Sequence, residues 1–180
     1  QLTFKLHIDG AYGGFVYPFS NTKSTITFEN PKISSITIDA HKWLNVPYDA
    51  AMQFTKHKTI QWKVFQNSAA YLSDPSQSPD YFHYTPENSR RFRALPSWFT
   101  LMAYGKEGYR EIVERNCAAA KYFGELIERS GGFRLLAPVR KNVVCFTLRE
   151  EILRQEDIRI LLQAVRDDGR VFFTPTVYKG

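Results

Sequence analysis

Ser35-Ile36-Thr37-Ile38-Asp39-Ala40-His41-Lys42-Trp43 is the stretch on which the reading of this sequence turns. Its first half belongs to a β-branched run, Ile33 to Ile38, of the kind that suits a pleated, half-buried surface. Its second half switches abruptly to a carboxylate, an imidazole and an amine, so the predicted strand ends in polar groups. In open α/β sheets ligands lie beyond the carboxyl ends of the strands, which makes such an ending a candidate site. A lysine there becomes a nucleophile once its proton is lost, and lysine is the amine that forms Schiff bases with carbonyl cofactors. The indole of Trp43 is expected to desolvate Lys42 and lower its pKa. A lone lysine after a strand is far more often a solvated surface residue, so this segment needs a companion before it implies chemistry.

The companion lies upstream. Leu2, Phe4, Leu6 and Ile8 alternate with other residues in a strand pattern that stops at Asp9-Gly10, with Gly13-Gly14 close behind. An aspartate at a strand end can pair with a protonated ring nitrogen, and the small residues beside it let a flat ring approach the backbone. An Asp-Gly turn alone is commonplace. An Asp at one strand end and a Lys at a later one are, however, the two fixtures a pyridoxal cofactor needs. The lysine holds the aldehyde carbon, and the acid keeps the pyridine nitrogen protonated so that the ring takes up electron density.

Downstream, Ala50 to Thr55 predicts a third strand after the Pro47-Tyr48-Asp49 turn, while Thr59 to Phe65 suits either a pairing strand or the start of a helix. Asn67 to Asn88 is rich in Ser, Pro, Asp, Gln and Tyr and has no sustained period, as in a functional lid or a mobile loop. Arg91 to Tyr104 reads as a helix with Pro96-Ser97 as its kink or start. Lys106 to Arg129 reads as a stronger helix with a stripe of Ile112, Val113, Ala120, Phe123, Leu126 and Ile127, stopped by Gly131-Gly132. Phe133 to Leu136, Val143 to Leu148 and Val171 to Thr176 predict strands, and Gln155 to Val165 an amphipathic helix. This order fits an α/β first part and a small α+β second part, with the boundary expected between residues 104 and 105.

Composition narrows the function classes. The 180 residues carry a formal charge of +6, but the basic residues are scattered apart from Ser89 to Arg93, without the stripe or reading motif of a nucleic-acid surface. Cys117 and Cys145 are far apart, and no histidine or cysteine cluster has zinc spacing, so neither a disulfide framework nor a metal site is expected. No apolar run reaches the length of a membrane helix. The chain begins with Gln1 and runs at once into a strand, so a missing N-terminus is expected. A cytoplasmic location is the expectation for the protein.

HIDGAYGGF (residues 7–15) followed by SITIDAHKWLNVPYDA (residues 35–50) resembles the group II pyridoxal-phosphate-dependent decarboxylases, which include aromatic-L-amino-acid, histidine and glutamate decarboxylases. ENSRRFRALPSWF (residues 87–99) resembles that family's arginine-rich segment leading into a long helix. The resemblance covers nearly the whole chain, more loosely after Arg129. It implies the C-terminal part of a fold type I, aspartate-aminotransferase-like large domain over residues 1–104 and a truncated small α+β domain over 105–180. It implies pyridoxal 5'-phosphate as cofactor, with Lys42 as the Schiff-base lysine, Asp9 paired with the pyridine nitrogen and Ala11 packed against the ring. His41 would lie beside the phosphate and the lysine, and Ser35 and Asp39 would be polar groups near the phosphate. Arg90 matches an arginine the family keeps. Tyr71 resembles the flexible-loop tyrosine that returns a proton to the α-carbon, a role that phenols can fill; relatives with phenylalanine there tend to be aldehyde synthases.

The implied activity is decarboxylation of an L-amino acid, aromatic substrates favoured, by a carboxy-lyase that works as a homodimer whose loops cross between subunits. Neither nucleic acid nor a membrane is an expected partner. Pro96 departs from the family's usual lysine, and the ring-stacking histidine, the phosphate-binding segment and the last strands belong outside residues 1–180. The chain alone is therefore expected to be inactive. Aldehyde synthesis, carbon–carbon lysis and a non-catalytic interaction module are the competing readings.

Overall fold

The protein is described here from a computed structural model, which describes residues 5–18, 30–67, 80–149 and 155–178. The chain divides into two compact units, residues 1–113 and 114–180.

In the first unit, three strands form one sheet in the order β1 (Leu6–Asp9), β2 (Ile33–Asp39), β3 (Ala51–Thr55). β1 and β2 run parallel, with Asp9 opposite Thr37, and the register shifts between Leu6 and His7. β3 returns antiparallel, with Asp39 opposite Ala51 and Ser35 opposite Thr55. Residues paired across strands share a face, and alternate residues along a strand share it too. One face therefore carries His7, Asp9, Ser35, Thr37, Asp39, Gln53 and Thr55, and the opposite face Ile8, Ile36, Ile38, Met52 and Phe54. Among the described residues β1 is an edge strand and mostly exposed, although its sequence suggests burial.

The tightest packing lies directly after β2. Ala40, Trp43, Leu44, Val46 and Ala50 are buried together with Phe15, Val16, Ile33, Tyr109 and Val113. Thr59 to Phe65, open in the sequence, lies within a helix, α1 (Lys58–Phe65), with no buried residue. A side-chain amide of α1 ties it to the short 3₁₀ helix Tyr81–Tyr84, Gln61 Nε2 donating to the Tyr84 carbonyl at 2.8 Å. His83 in that turn is fully buried, its Nδ1 accepting the Asn67 N–H at 3.1 Å.

The two predicted helices after residue 91 are both present; they are labelled together as α2 (Ala94–Arg129) and are separated by a kink at Gly105, where φ is 59°. Pro96 does not kink α2. Proline is tolerated in a first helical turn because the N–H it lacks would have had no intrahelical partner there. Gly105, at the expected boundary, has the positive φ that residues with a Cβ rarely adopt.

In the second unit, β4 (Phe133–Leu135) and β5 (Phe146–Leu148) pair antiparallel, and α3 spans Gln155–Asp168. Phe146 touches Phe133, Phe123 and Phe173 with ring centroids 5.7, 5.6 and 5.3 Å apart. Val113, Ala120 and Ile127 of the α2 stripe are buried, but Leu126 is 43% exposed, so the stripe is narrower than the sequence suggests. Val171 to Thr176 is not a strand. β-Propensity is realised only against a partner edge, and this run pairs with no strand among the described residues; Pro175 also lacks an N–H to donate. Among the described residues, no helix is long and apolar enough to cross a membrane.

Candidate active site

Because β1 and β2 are parallel, their polar C-terminal ends emerge at the same edge of the sheet. The backbone joins them there: the Asp39 N–H donates to the Ala11 carbonyl at 3.1 Å. The glycines of the first motif allow that closeness. A Cβ on Gly10 would lie 2.9 Å from the Thr37 carbonyl oxygen, and one on Gly14 would lie 2.8 Å from that of Gly10, distances that side-chain carbons do not reach. The turn after β1 thus lies against β2 and holds Asp9 and Ala11 beside the segment that carries Lys42.

Asp9 accepts the Ala11 N–H on Oδ1 at 3.0 Å, which fixes the carboxylate in its own turn. The group is exposed and accepts no other hydrogen bond among the described residues. Ala11 is half-buried. Lys42 Nζ lies 2.8 Å from Asp39 Oδ2 and 6.0 Å from the centroid of the Tyr12 ring. The Asp39 hydrogen bond raises the Lys42 pKa; partial burial opposes it, and the charges of Asp39, Tyr48 and Asp9 add to the rise. This corrects the expectation of a lysine desolvated by Trp43. The indole is buried, 7% exposed, with its ring 6.0 Å from that of Tyr12, while Lys42 remains one-third exposed beside an acid.

His41 follows Asp39 closely in space as well as in sequence. Its Nδ1 donates to the Ala50 carbonyl at 2.9 Å, its Nε2 faces Asp39 Oδ2 at 3.4 Å, and its ring stacks on Tyr48 with centroids 4.0 Å apart. Ser35 lies four residues up β2 on the same face as Asp39, with its hydroxyl 2.8 Å from His7 Nδ1. Of the groups expected near a phosphate, the Ser35 hydroxyl meets His7 Nδ1, the His41 ring is held by Ala50 and Asp39, and Asp39 is a carboxylate paired with Lys42.

The structure thus brings Asp9, Ala11, Asp39, His41 and Lys42 to one edge, with Ser35 farther along the same face. Tyr71 lies outside the described residues. The arginine-rich segment acts on a neighbouring turn. Arg93 binds Glu87 through two nitrogens at 2.8 and 3.2 Å and reaches Asp49 at 3.3 and 3.4 Å, and Arg91 also pairs with Asp49. Arg93, with Arg90 adding a smaller effect, holds the Glu87 carboxyl below its ordinary range. Sequence reasoning missed Tyr12 and Tyr48, which flank Lys42 and His41, and Tyr109, whose hydroxyl donates to the Leu44 carbonyl at 3.1 Å and anchors the backbone two residues past Lys42. Tyr12 had a signal in its place inside the Asp9 motif; Tyr48 and Tyr109 had none.

The sequence profile of the pyridoxal-dependent decarboxylase conserved domain matches residues 1–149. The chain belongs to the pyridoxal-dependent decarboxylase family. Within that family it is 31% identical over 179 residues to the aromatic-L-amino-acid decarboxylase of Drosophila simulans, covering 97% of this chain and 34% of that protein. It is 29% identical over 181 residues to the 3,4-dihydroxyphenylacetaldehyde synthase of Drosophila melanogaster, again covering 97% of this chain and 34% of the relative. The crystal structure of Oryza sativa TDC with PLP and tryptamine superimposes with a TM-score of 0.83 at 24% identity, over 98% of this chain and 38% of that one. That likeness shows the fold, a portion of fold type I. The chain spans about a third of the length of the curated relatives it matches.

The family's cofactor suits what this edge presents. An amine and a carboxylate with an unengaged oxygen stand at one sheet edge, and the Asp9 charge acts on Lys42.

Proposed function

We propose that the full-length protein decarboxylates an L-amino acid, with aromatic side chains favoured, and that Lys42 and Asp9 are the two ends of its cofactor site. The observation that supports this most is the meeting of Asp9 and Lys42 at one edge of the parallel β1–β2 pair. Pyridoxal phosphate, when bound, supplies a sink for the electron pair left by a departing carboxylate. Lys42 would hold its aldehyde carbon, and Asp9 would turn its unengaged oxygen to the pyridine nitrogen and favour the protonated form by charge. Ala11, the smallest side chain with a Cβ, would leave room for a flat ring. His41, its ring already fixed by Ala50 and Tyr48, would line the site next to Lys42, with Ser35 and Asp39 on the same polar face. Tyr71 would deliver a proton to the substrate α-carbon.

In this reading residues 1–104 are the C-terminal part of the large domain and 105–180 part of the small one, and the enzyme is a homodimer in which Tyr71 serves the partner subunit's site. The aromatic preference draws on the names of the relatives, an aromatic-L-amino-acid decarboxylase and a protein crystallised with tryptamine. The aldehyde-synthase relative keeps formation of an aldehyde instead of an amine as a second reading. A panel of L-amino acids incubated with the full-length, cofactor-loaded protein decides between them. Carbon dioxide release with an amine product from aromatic substrates is the expected result. An aldehyde product transfers the assignment to the second reading, and no release from any amino acid overturns both.

A further inference from the structure

The Asp39–Lys42 pair is peculiar for a lysine assigned to bond a carbonyl, because amines attack carbonyl carbon only when unprotonated. Several contacts fix the carboxylate. Asp39 ends β2, its N–H is bound to the Ala11 carbonyl at 3.1 Å, and its own carbonyl accepts the Lys42 N–H at 3.4 Å. Its side chain is only 18% exposed, and one oxygen meets Lys42 Nζ at 2.8 Å and His41 Nε2 at 3.4 Å. His41 stays in place because Nδ1 is engaged by Ala50 at 2.9 Å. The other groups acting on the amine are Asp9, Tyr48 and the face of Tyr12. Asp39 thus holds the ammonium directly, the face of Tyr12 lies 6.0 Å away, Asp9 and Tyr48 act on it more weakly, and His41 is the basic group that shares the Asp39 oxygen.

We propose that Asp39 is a positioning residue that parks Lys42 as an ammonium ion at the site edge, so that capture of the cofactor aldehyde is limited by release of this ion pair. The proposal rests on the reading of Lys42 as the cofactor-holding amine. In the capture step one N–H proton passes to a solvent base. The freed nitrogen pair then bonds to the aldehyde carbon, the carbon–oxygen bond breaks, and the oxygen leaves as water with the two remaining nitrogen protons. Asp39 favours the state before the first of these events and pre-aligns the nitrogen for the later ones.

The test uses the full-length protein freed of cofactor. Trace acetylation by acetic anhydride is followed by peptide mass spectrometry at Lys42, with exposed Lys106 as internal reference. In the native protein the Lys42 profile is expected to rise at higher pH than in Asp39→Asn, and at about pH 7.5 the variant is expected to label Lys42 about threefold faster, the scale of a part-exposed ion pair. Raising salt to about 0.5 M is expected to speed Lys42 relative to Lys106 in the native protein, because screening weakens the pair. That second arm holds even where Asp39→Asn folds poorly. The same samples are then given pyridoxal phosphate and reduced with borohydride, and capture at Lys42 is expected to be faster in the variant by a similar factor. Identical pH profiles in native protein and variant, or a Lys42 rate insensitive to salt, overturn the parking role whichever lysine takes the cofactor. Trapping of the cofactor on another lysine, with the acetylation result intact, overturns the cofactor reading instead.

Discussion

The β1–β2 edge and the β4–β5 ladder are both small β structures, and they end differently. On β1 and β2, polar residues share one face and the strands finish in Asp9 and in Asp39-Ala40-His41-Lys42, each of whose charged or ring side chains has at least one named partner. On β4 and β5 the equivalent space is filled by Phe133 and Phe146 with Phe123 and Phe173. Both arrangements give up conformational freedom. The first fixes charges that a foreign molecule can meet, and the second removes apolar surface from water. Strand polarity next to a close backbone contact, rather than strand content, separates the part proposed to carry chemistry from the part that packs apolar rings.

Substitutions should divide along that line. Lys42→Ala is expected to have the largest effect, a loss of activity of roughly 10³-fold or more in the full-length protein, because on the proposed reading it removes the covalent anchor. Carbon dioxide release measures it, and near-native activity would place the chemistry elsewhere. Asp9→Asn preserves shape and removes the charge, so kcat is expected to fall by roughly 10²-fold while the unfolding midpoint stays near native. A loss of stability without loss of kcat would make Asp9 a turn residue only. Phe146→Ala reverses the pattern. It is expected to cost about 2 kcal/mol in denaturant unfolding, less than a fully buried Phe because the ring is only half-buried, with residual activity of the folded fraction unchanged.

The smallest effect concerns acid. Glu87 is held below its ordinary pKa by Arg93, so its contribution is present above the ordinary carboxylate range and is lost as pH falls through the depressed value. Glu87→Gln is expected to lower stability slightly at neutral pH and to match the native protein in acid, where Glu87 is itself protonated, so the acid side of the profile flattens; a midpoint shift in acid equal to that at neutral pH would contradict this.

The legible parts of the sequence were those whose signal is local. Period-2 alternation located β1, a β-branched run located β2, and the abrupt change to polar residues singled out Asp9, Asp39, His41 and Lys42. Residues 59–65 were ambiguous because α1 is short and no residue of it is fully buried, so no strong apolar period marks its face. The strand expected at Val171–Thr176 failed because pairing depends on an edge elsewhere in the chain. Pro96 marks the start of α2, one of the two roles its sequence allows, and the break falls at Gly105, where the backbone takes a positive φ. The Tyr48–His41 stack and the Asp49 clamp by Arg91 and Arg93 are contacts between side chains that no spacing rule connects. The direction of the Lys42 shift was misjudged for a related reason: Trp43 adjoins it in sequence, but Asp39 meets it in space.

Borohydride reduction of the cofactor-loaded, full-length protein, followed by peptide mapping, asks most directly whether the amine and the acid of this edge serve one ring. The expected result is a single reduced pyridoxyl group on Lys42, with its ring-nitrogen protonation, read by nitrogen-15 resonance before reduction, lost in Asp9→Asn. A pyridoxyl group on any other lysine, or a ring nitrogen indifferent to Asp9, would contradict it.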